Sequence, residues 1–263
     1  QSIIVIKCIV HYTFNETYNN TIQDMGSSGY NLKYIGASLD SDNVNVGLNC
    51  LKLQNFSDVG LVGHWLLNEN TGGTAIDISS NSNNGTLTNS PTWLSNSGPD
   101  NGPCLSFDGT DEHIITSNLN TGSGGLNIST DITISLWAKA DGSSWNASGC
   151  HVSKRNSFIM HPNASGRSYS FYINTDGGIF SNIGITASSS DISDVSNWHH
   201  YVGTFDGTTM KLYYDGTEVE SAARSGGINN DTGKLYIGSD DLDEQSGRYF
   251  DGKMSDVRIY NRT

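Results

Sequence analysis

The chain has 263 residues, a formal net charge of −13 and an isoelectric point near 4.7. This acidity argues against nucleic acid and anionic lipid as partners, because both repel a strongly negative protein. The longest apolar run, residues 3–10, contains Lys7 and is much shorter than the roughly 20 residues that a membrane helix needs, so we expect no membrane insertion. Because the run does not follow an arginine-led n-region with a long apolar h-region, we expect that any secretion signal has already been removed.

Cysteine spacing and glycosylation triplets both bear on the compartment. The widely separated Cys8, Cys50, Cys104 and Cys150 form no C-x-x-C pair, which argues against zinc and fits two disulfides in an oxidising compartment. Nine triplets of the N-glycosylation type occur where chance would give roughly six. Their asparagines are Asn15, Asn19, Asn55, Asn84, Asn127, Asn146, Asn163, Asn230 and Asn261. Together these features predict a secreted or extracellular-surface glycoprotein.

Hydrophobic periodicity is of the strand type along most of the chain. In the best example, residues 132–140, apolar side chains alternate from Ile132 through Ile134 and Leu136 to Ala138. Further strands are predicted at 198–206, 210–214, 234–238 and 254–260. Asp-Gly pairs, which tolerate the backbone of tight hairpins, predict turns at 108–109, 141–142, 176–177, 206–207, 215–216 and 251–252. Many short strands with frequent turns predict an all-β sandwich or barrel.

The opening of the chain is echoed later in the sequence. The heptapeptide V-H-Y-T-F-N-E at 10–16 recurs as G-H-W-L-L-N-E at 63–69, and Cys50 occupies the place of Cys104 in the later copy. Residues 1–57 therefore read as an N-terminal β annex, a partial repeat of the domain at 58–263, with chance similarity as the alternative. The simplest disulfide pairing joins Cys8 to Cys50 and Cys104 to Cys150, although other pairings and bridges between chains stay open.

Ordered motifs from residue 60 onward resemble the laminin-G-like, pentraxin-like branch of the concanavalin A-type jelly rolls. They are G-L-V-G-H-W-L-L-N-E at 60–69, D-I-S-S-N-S-N-N-G at 77–85, C-L-S-F-D-G-T-D-E-H-I at 104–114, D-I-T-I-S-L-W-A-K at 131–139, the N-W-H-H block at 197–216 and F-D-G-K-M-S-D-V-R-I-Y-N-R at 250–262. Ser80 stands where the family usually has glycine. The resemblance implies an all-β, two-sheet antiparallel jelly-roll sandwich, preceded here by the β annex.

Catalysis is not expected. Glycoside hydrolases of this fold place their acid and nucleophile in a Glu-x-Asp-x-x-Glu strand, and this chain contains no such triplet. The acidic cluster Asp240, Asp241, Asp243 and Glu244 reads as a solvated loop. On the strand after Trp198, one of His199 and His200 is expected to be packed and the other exposed. We therefore predict no catalytic residues and no enzyme.

The loop at 77–85 is a candidate calcium site, because Ca²⁺ prefers several hard oxygen ligands. In the resembled family the closing-strand aspartate, here Asp256, packs beside this loop. We expect Asp77 and Asp256 as charged ligands, with Asn81 and Asn83 supplying amide oxygen, and a structural role for the Ca²⁺. The alternative is a turn in which the loop satisfies its own backbone.

Tryptophans are the candidates for carbohydrate recognition, since a flat ring can cover a sugar face. Trp145 lies outside a clear strand and is the candidate glycan-binding residue, with a hydrophobic plug beneath the Cys150 bridge or stacking on a glycan at Asn146 as alternatives. Trp65, Trp137 and Trp198 lie on predicted core strands and are expected to be packing residues.

Two functions fit these features. An unfinished jelly-roll annex leaves strand edges unpaired, and its apolar run at 2–10 reads as a strand buried on both faces. The main interpretation is therefore a non-enzymatic extracellular structural protein whose copies associate through this segment into a glycosylated filament or layer. The alternative is a calcium-assisted, lectin-like adhesion module that binds glycans.

Overall fold

The computed structural model describes residues 59–116, 125–146, 149–162, 166–175, 182–230, 233–240 and 248–263, together with four short strands before residue 53. The chain divides into two compact units, Gln1–Val59 and Gly60–Thr263. This division lies near the predicted boundary between residues 57 and 58.

The first unit contains two antiparallel strand pairs. Strand β1 (Thr21–Ile22) pairs with β2 (Leu32–Lys33), and β3 (Ser38–Asp40) pairs with β4 (Cys50–Lys52). The predicted strand at 2–12, and with it the idea of strand donation, lies outside the described residues. The same holds for Cys8, Asn15, Asn19 and Asn55.

The second unit is a sandwich of two antiparallel sheets, which confirms the predicted all-β fold class. Sheet I has the strand order β15-β14-β13-β12-β19-β10-β7-β6. Its strands are β6 (Thr74–Ala75), β7 (Gly85–Thr88), β10 (His113–Thr116), β12 (Val152–Lys154), β13 (Phe158–Pro162), β14 (Tyr169–Asn174), β15 (Asn182–Ala187) and β19 (Tyr236–Ile237).

Sheet II has the order β18-β17-β16-β11-β20-β9-β8, and β5 also pairs with the second half of β20. A short 3₁₀ helix at Pro99–Asn101 precedes β9. The strands are β5 (Leu61–Trp65), β8 (Thr92–Leu94), β9 (Cys104–Asp108), β11 (Ile132–Ala140), β16 (His199–Phe205), β17 (Thr209–Tyr214), β18 (Thr217–Ala223) and β20 (Asp251–Tyr260).

Strand β11 shows how the sequence positions the core. Its side chains alternate strictly between buried and half-buried, and Ile134 and Leu136 are fully buried between the sheets. Because successive side chains point to opposite faces, Ser135 and Trp137 lie on the outer face of sheet II. Trp137 is directly opposite His200 on one neighbouring strand and Ser255 on the other.

The Asp-Gly turns behave in two ways. Asp206-Gly207 and Asp215-Gly216 connect β16, β17 and β18 as hairpins, and their glycines have the positive φ that such turns require. The predicted turn at 251–252 is wrong, because Gly252 lies inside β20. A Cβ there would lie 2.2 Å from the carbonyl oxygen of Lys139, so this glycine allows a close approach of two strands.

The predicted bridge between Cys104 and Cys150 is wrong in this structure, where both residues are buried thiols. Cys104 begins β9 in sheet II, whereas Cys150 lies just before β12 in sheet I. The two thiols have different charged neighbours. Those of Cys104 are Lys253, Lys139 and Asp141, and those of Cys150 are Asp240, Arg248 and Arg155. Burial raises the pKa of Cys104 to about 11 and that of Cys150 further.

Within the described part of the chain, no helix is both long and apolar enough to cross a membrane.

Candidate functional site

A shallow groove lies on the outer side of sheet II, where β11, β16 and the β17–β18 hairpin meet. It has a volume of about 570 Å³ and is lined by Trp137, Trp198, His199, His200, Asp215 and Gly216. The rings of Trp137 and His200 lie 5.1 Å apart with an interplanar angle of 33°. Two indole rings and several polar groups thus share one solvent-facing surface.

The sequence prediction for these tryptophans is correct only in part. Trp65 is fully buried, as expected for a packing residue. Trp137 and Trp198 are only half-buried, so their assignment to the core is wrong. Trp137 alternates with the buried residues of β11, so its side chain points away from the core. This alternation in the sequence is the signal from which its outward position could have been predicted. Trp198 is held just before β16, where its Nε1 donates to the carbonyl oxygen of Ser97 at 2.8 Å.

Asp215 is the main polar group of the groove. Its Oδ1 accepts a hydrogen bond from the backbone N–H of His200 at 2.9 Å, and its Oδ2 lies 2.7 Å from Nδ1 of His199. On its other side, the His199 ring places Nε2 3.4 Å from a carboxylate oxygen of Asp194. Hydrogen bonds from Ser196 and Asn197 hold the pKa of Asp194 well below its ordinary value, so this carboxylate is ionised.

A second polar network continues along the same face. Asp256 accepts hydrogen bonds from Nε2 of His64 at 2.7 Å and from two nitrogens of Arg258 at 2.9 and 2.8 Å. Burial works to raise the pKa of Asp256, but the contacts with His64 and Arg258 outweigh it and lower the pKa. Asp256 occupies a bulge of β20 with φ +52°, an uncommon conformation for a non-glycine residue.

One pair in this region has the residue types of a nucleophile and a base. Ser135 Oγ lies 2.8 Å from Nε2 of His200, and burial lowers the pKa of His200 against the charges of Asp256 and Asp215. A catalytic triad would need a carboxylate on the other ring nitrogen of His200. Among the described residues no carboxylate takes that place, because Asp215 binds the His200 backbone and the His199 ring instead.

Trp145, the predicted glycan-binding residue, does not lie at the surface. Only 5% of it is exposed, and its ring packs against His151, Tyr201 and Phe250 at centroid distances of 4.9, 5.9 and 5.9 Å. Its prediction as a surface ligand is therefore wrong, and the alternative of a hydrophobic plug describes it, although Cys150 forms no bridge above it. The physical reason is that the loop after β11 turns back into the sandwich, where Asn146 accepts from the backbone N–H of Asp251 at 3.1 Å.

The acidic cluster after β19 is also not a wholly solvated loop. Asp240 is buried, and its carboxylate accepts from Ser153 Oγ at 2.6 Å, from Arg248 at 3.0 Å and from Arg155. Two guanidinium groups compensate the cost of burying this carboxylate. Asp241, Asp243 and Glu244 lie outside the described residues.

The predicted calcium ligands are engaged in hydrogen bonds with the protein. Asp77 accepts from the backbone N–H groups of His64, Ser79 and Asn83 at 2.8, 2.9 and 2.7 Å and from the Ser79 hydroxyl at 2.8 Å. The amide nitrogens of Asn81 and Asn83 donate to the carbonyl oxygen of Val62 at 3.1 and 2.8 Å.

Asp256, the other predicted charged ligand, is bound to Arg258 and to the ring of His64, whereas Asp77 contacts the backbone of His64. In the described ranges, no group of three or more His, Cys, Asp or Glu side chains is arranged to hold a metal ion. This donor set fits the hydrogen-bonded turn better than an open cation site, and the calcium site stays a prediction.

Of the predicted glycosylation residues that the structure describes, Asn84, Asn230 and Asn261 are exposed. Asn127 is half-buried. The side-chain nitrogen of Asn146 donates to the carbonyl oxygen of Tyr249, so a glycan on this atom would remove a hydrogen bond that anchors the loop. Asn163 lies outside the described residues.

The laminin G family model described as the concanavalin A-like lectin/glucanases superfamily matches residues 108–263. The match spans more than half of the chain, and the chain therefore belongs to this superfamily, as its motifs predicted. No curated protein sequence matches the chain.

Solved structures with the same fold are distant in sequence. The binding domain of Paraclostridial Mosquitocidal Protein 1 has 17% identity and a TM-score of 0.57 over 78% of this chain and 49% of that chain. Domain 4 of AbnA, a GH43 extracellular arabinanase from Geobacillus stearothermophilus solved with arabinotriose, has 16% identity and a TM-score of 0.56 over 76% of this chain and 91% of that domain.

A third similar structure is that of botulinum neurotoxin type C, whose cell entry depends on interaction with two ganglioside molecules. It has 16% identity and a TM-score of 0.55 over 77% of this chain and 48% of that chain. This chain thus spans about half the length of the two toxin structures. At these identities the similarity establishes the jelly-roll fold.

Proposed function

We propose that this protein is a non-enzymatic, extracellular carbohydrate-binding module whose binding surface is the groove around Trp137 and Trp198. The observation that carries the proposal is the presence of two half-exposed indole rings beside a fixed carboxylate on one sheet face. A sugar ring has an apolar face, which covers an aromatic ring, and hydroxyl groups, which need hydrogen-bond partners. The groove offers both.

The similar structures support a sugar ligand better than the filament interpretation. Domain 4 of AbnA was solved with arabinotriose, and the type C neurotoxin interacts with gangliosides. Self-association through residues 2–12 rests on the sequence alone and stays a prediction. Secretion and glycosylation are compatible with either function.

A glycan array probed with the purified full chain tests the proposal. We expect at least one oligosaccharide class to bind. Trp137→Ala should lower its affinity by about 2 kcal/mol, roughly thirtyfold, as expected for a tryptophan that becomes buried when the ligand binds. Trp198→Ala should weaken the same interaction. Repeating the array with EDTA tests the predicted assistance by calcium.

Tyr172→Ala provides a matched control, because Tyr172 is also a half-buried aromatic residue on a strand but lies in sheet I. It should leave glycan affinity unchanged. Thermal unfolding of each variant separates lost binding from lost structure. Absence of binding to any glycan, or equal losses in Trp137→Ala and Tyr172→Ala, would contradict the proposal.

A further inference from the structure

Asp215 is held in a fixed orientation at the edge of the groove. It forms a two-residue hairpin turn with Gly216, and both have positive φ, +48° and +79°. Each carboxylate oxygen accepts one hydrogen bond from a histidine of the groove wall, and the side chain is still 44% exposed. An ionised carboxylate has about four acceptor positions, so both oxygens retain capacity for a ligand hydroxyl.

The charges that act on the groove are mainly negative. His200 is influenced by the carboxylates of Asp256 and Asp215 and by one guanidinium, that of Arg258. Arg258 is itself bound through two nitrogens to Asp256. Asp194 adds a further ionised carboxylate beside His199, whose ring therefore lies between two carboxylates.

Two lysines on the same sheet face do not line the groove. Lys139 lies two residues after Trp137 on β11 and is directly opposite Lys253 on β20. The positive charges of both lysines act to lower the pKa of Cys104. Cys104 belongs to β9, which β20 separates from β11, whereas Asp215 lies beyond β16 on the opposite side. Lys253 also pairs with Asp141.

We infer that the groove selects neutral glycans that present two neighbouring hydroxyl groups to Asp215, and that it rejects glycans carrying a carboxylate or sulfate at that position. This inference rests on the proposed function, and it distinguishes this groove from the ganglioside interaction of the type C neurotoxin, because gangliosides carry sialic acid. Two adjacent hydroxyls can each donate to one oxygen of the fixed carboxylate, and such charge-assisted hydrogen bonds are stronger than neutral ones. An anionic group would meet Asp215, and among the described residues no lysine or arginine lines the groove to compensate it.

Titration of matched glycan pairs tests this selectivity. The pairs are the neutral oligosaccharides that bind on the array and their sialylated or uronic acid counterparts, with lactose and sialyllactose as one pair. We expect the wild-type chain to bind the neutral member at least tenfold more tightly. Asp215→Asn should weaken neutral binding on the order of tenfold, because it removes the charge and one acceptor, and should reduce the discrimination within each pair.

Asp141→Asn is the control, because the Asp141 side chain is 42% exposed and ion-paired but lies outside the groove. It should leave both affinities unchanged. Equal or tighter binding of the acidic member by the wild-type chain would overturn the inference while leaving the proposed function intact. Failure of every glycan to bind would overturn both.

Discussion

The regions around Trp137 and Trp145 are close in sequence and opposite in role. Trp137 lies on a strand that looks like core but presents its ring to solvent, whereas Trp145 lies in a loop that looks exposed but is buried among aromatic rings. Strand phase decides the first case, because neighbouring side chains of β11 point to opposite faces. The path of the following loop decides the second. Whether a tryptophan lies in a strand or in a loop therefore does not decide its burial. The direction of its side chain, toward the core or toward solvent, does.

The inner region is a tightly packed aromatic cluster with a polar centre. His151 contacts Trp145 and Phe250, at ring-centroid distances of 4.9 and 4.3 Å, and its Nδ1 lies 2.9 Å from the hydroxyl of Tyr169. Among the described residues, the outer region has two ring pairs, Trp137 with His200 at 5.1 Å and His199 with Tyr214 at 4.6 Å, and its two tryptophans are only half-buried. The two regions should therefore differ sharply in their response to substitution.

The largest expected effect is on stability. Trp145→Ala should lower the free energy of unfolding by about 3–5 kcal/mol, because it leaves a cavity between the sheets. Trp137→Ala should cost much less, about 1 kcal/mol, because its ring is half in water. Urea unfolding followed by circular dichroism measures both. Similar losses for the two variants would remove the distinction between an inner and an outer tryptophan.

A milder substitution sharpens the role of the outer ring. Trp137→Phe keeps an aromatic face but reduces its area, so it should weaken glycan binding by about 1 kcal/mol, less than removal of the ring. Calorimetric titration of the wild type, Trp137→Phe and Trp137→Ala gives the three affinities. A loss as large for Phe as for Ala would argue against stacking as the source of affinity.

The inner histidine predicts a pH dependence. Burial lowers the pKa of His151 well below its ordinary value, so the unfolded chain binds a proton there that the folded chain does not. Stability should therefore fall as pH drops below the unfolded pKa of about 6.5, by about 1 kcal/mol for this group between pH 6.5 and 5.5.

Urea unfolding at the two pH values measures the loss, to which His161 and His200 also contribute because burial lowers their pKa values. NMR titration isolates His151, whose ring signals should stay constant down to pH 5.5. A midpoint for His151 near 6.5 would show that it is not buried as described.

The smallest expected effect concerns the two thiols. Because no bond joins Cys104 to Cys150, a reducing agent has nothing to break between them. Reduction should therefore not lower the melting temperature through these two residues. Unfolding in alkylating reagent without reductant, followed by peptide mapping, should find both residues alkylated. Recovery of a peptide in which they are linked would contradict the structure.

Much of the fold follows from local patterns. The alternation in residues 132–140 predicts both the extent of β11 and its buried face, and Asp206-Gly207 and Asp215-Gly216 mark true hairpins. Asp251-Gly252 has the same residue types but serves a close approach of backbones, which only the neighbouring strand reveals.

The candidate site was less accessible to prediction. The alternation of buried and half-buried residues in β11 predicts that Trp137 points outward. The hydrogen bonds of Asp215 with His199 and His200, by contrast, depend on the register between β16 and β17. Burial of Trp145 depends on contacts with strands far away in the chain. The turn at Asp77 and the charges around Asp240 likewise arise from long-range hydrogen bonds.

The indole N–H resonances of the five tryptophans test the central claim most directly. Titration of the full chain with a binding neutral glycan, with the signals assigned from single variants, should shift Trp137 and Trp198 and leave Trp65 and Trp145 in place. Shifts confined to other tryptophans, or none at saturating glycan, would contradict the assignment of the outer groove as the binding surface.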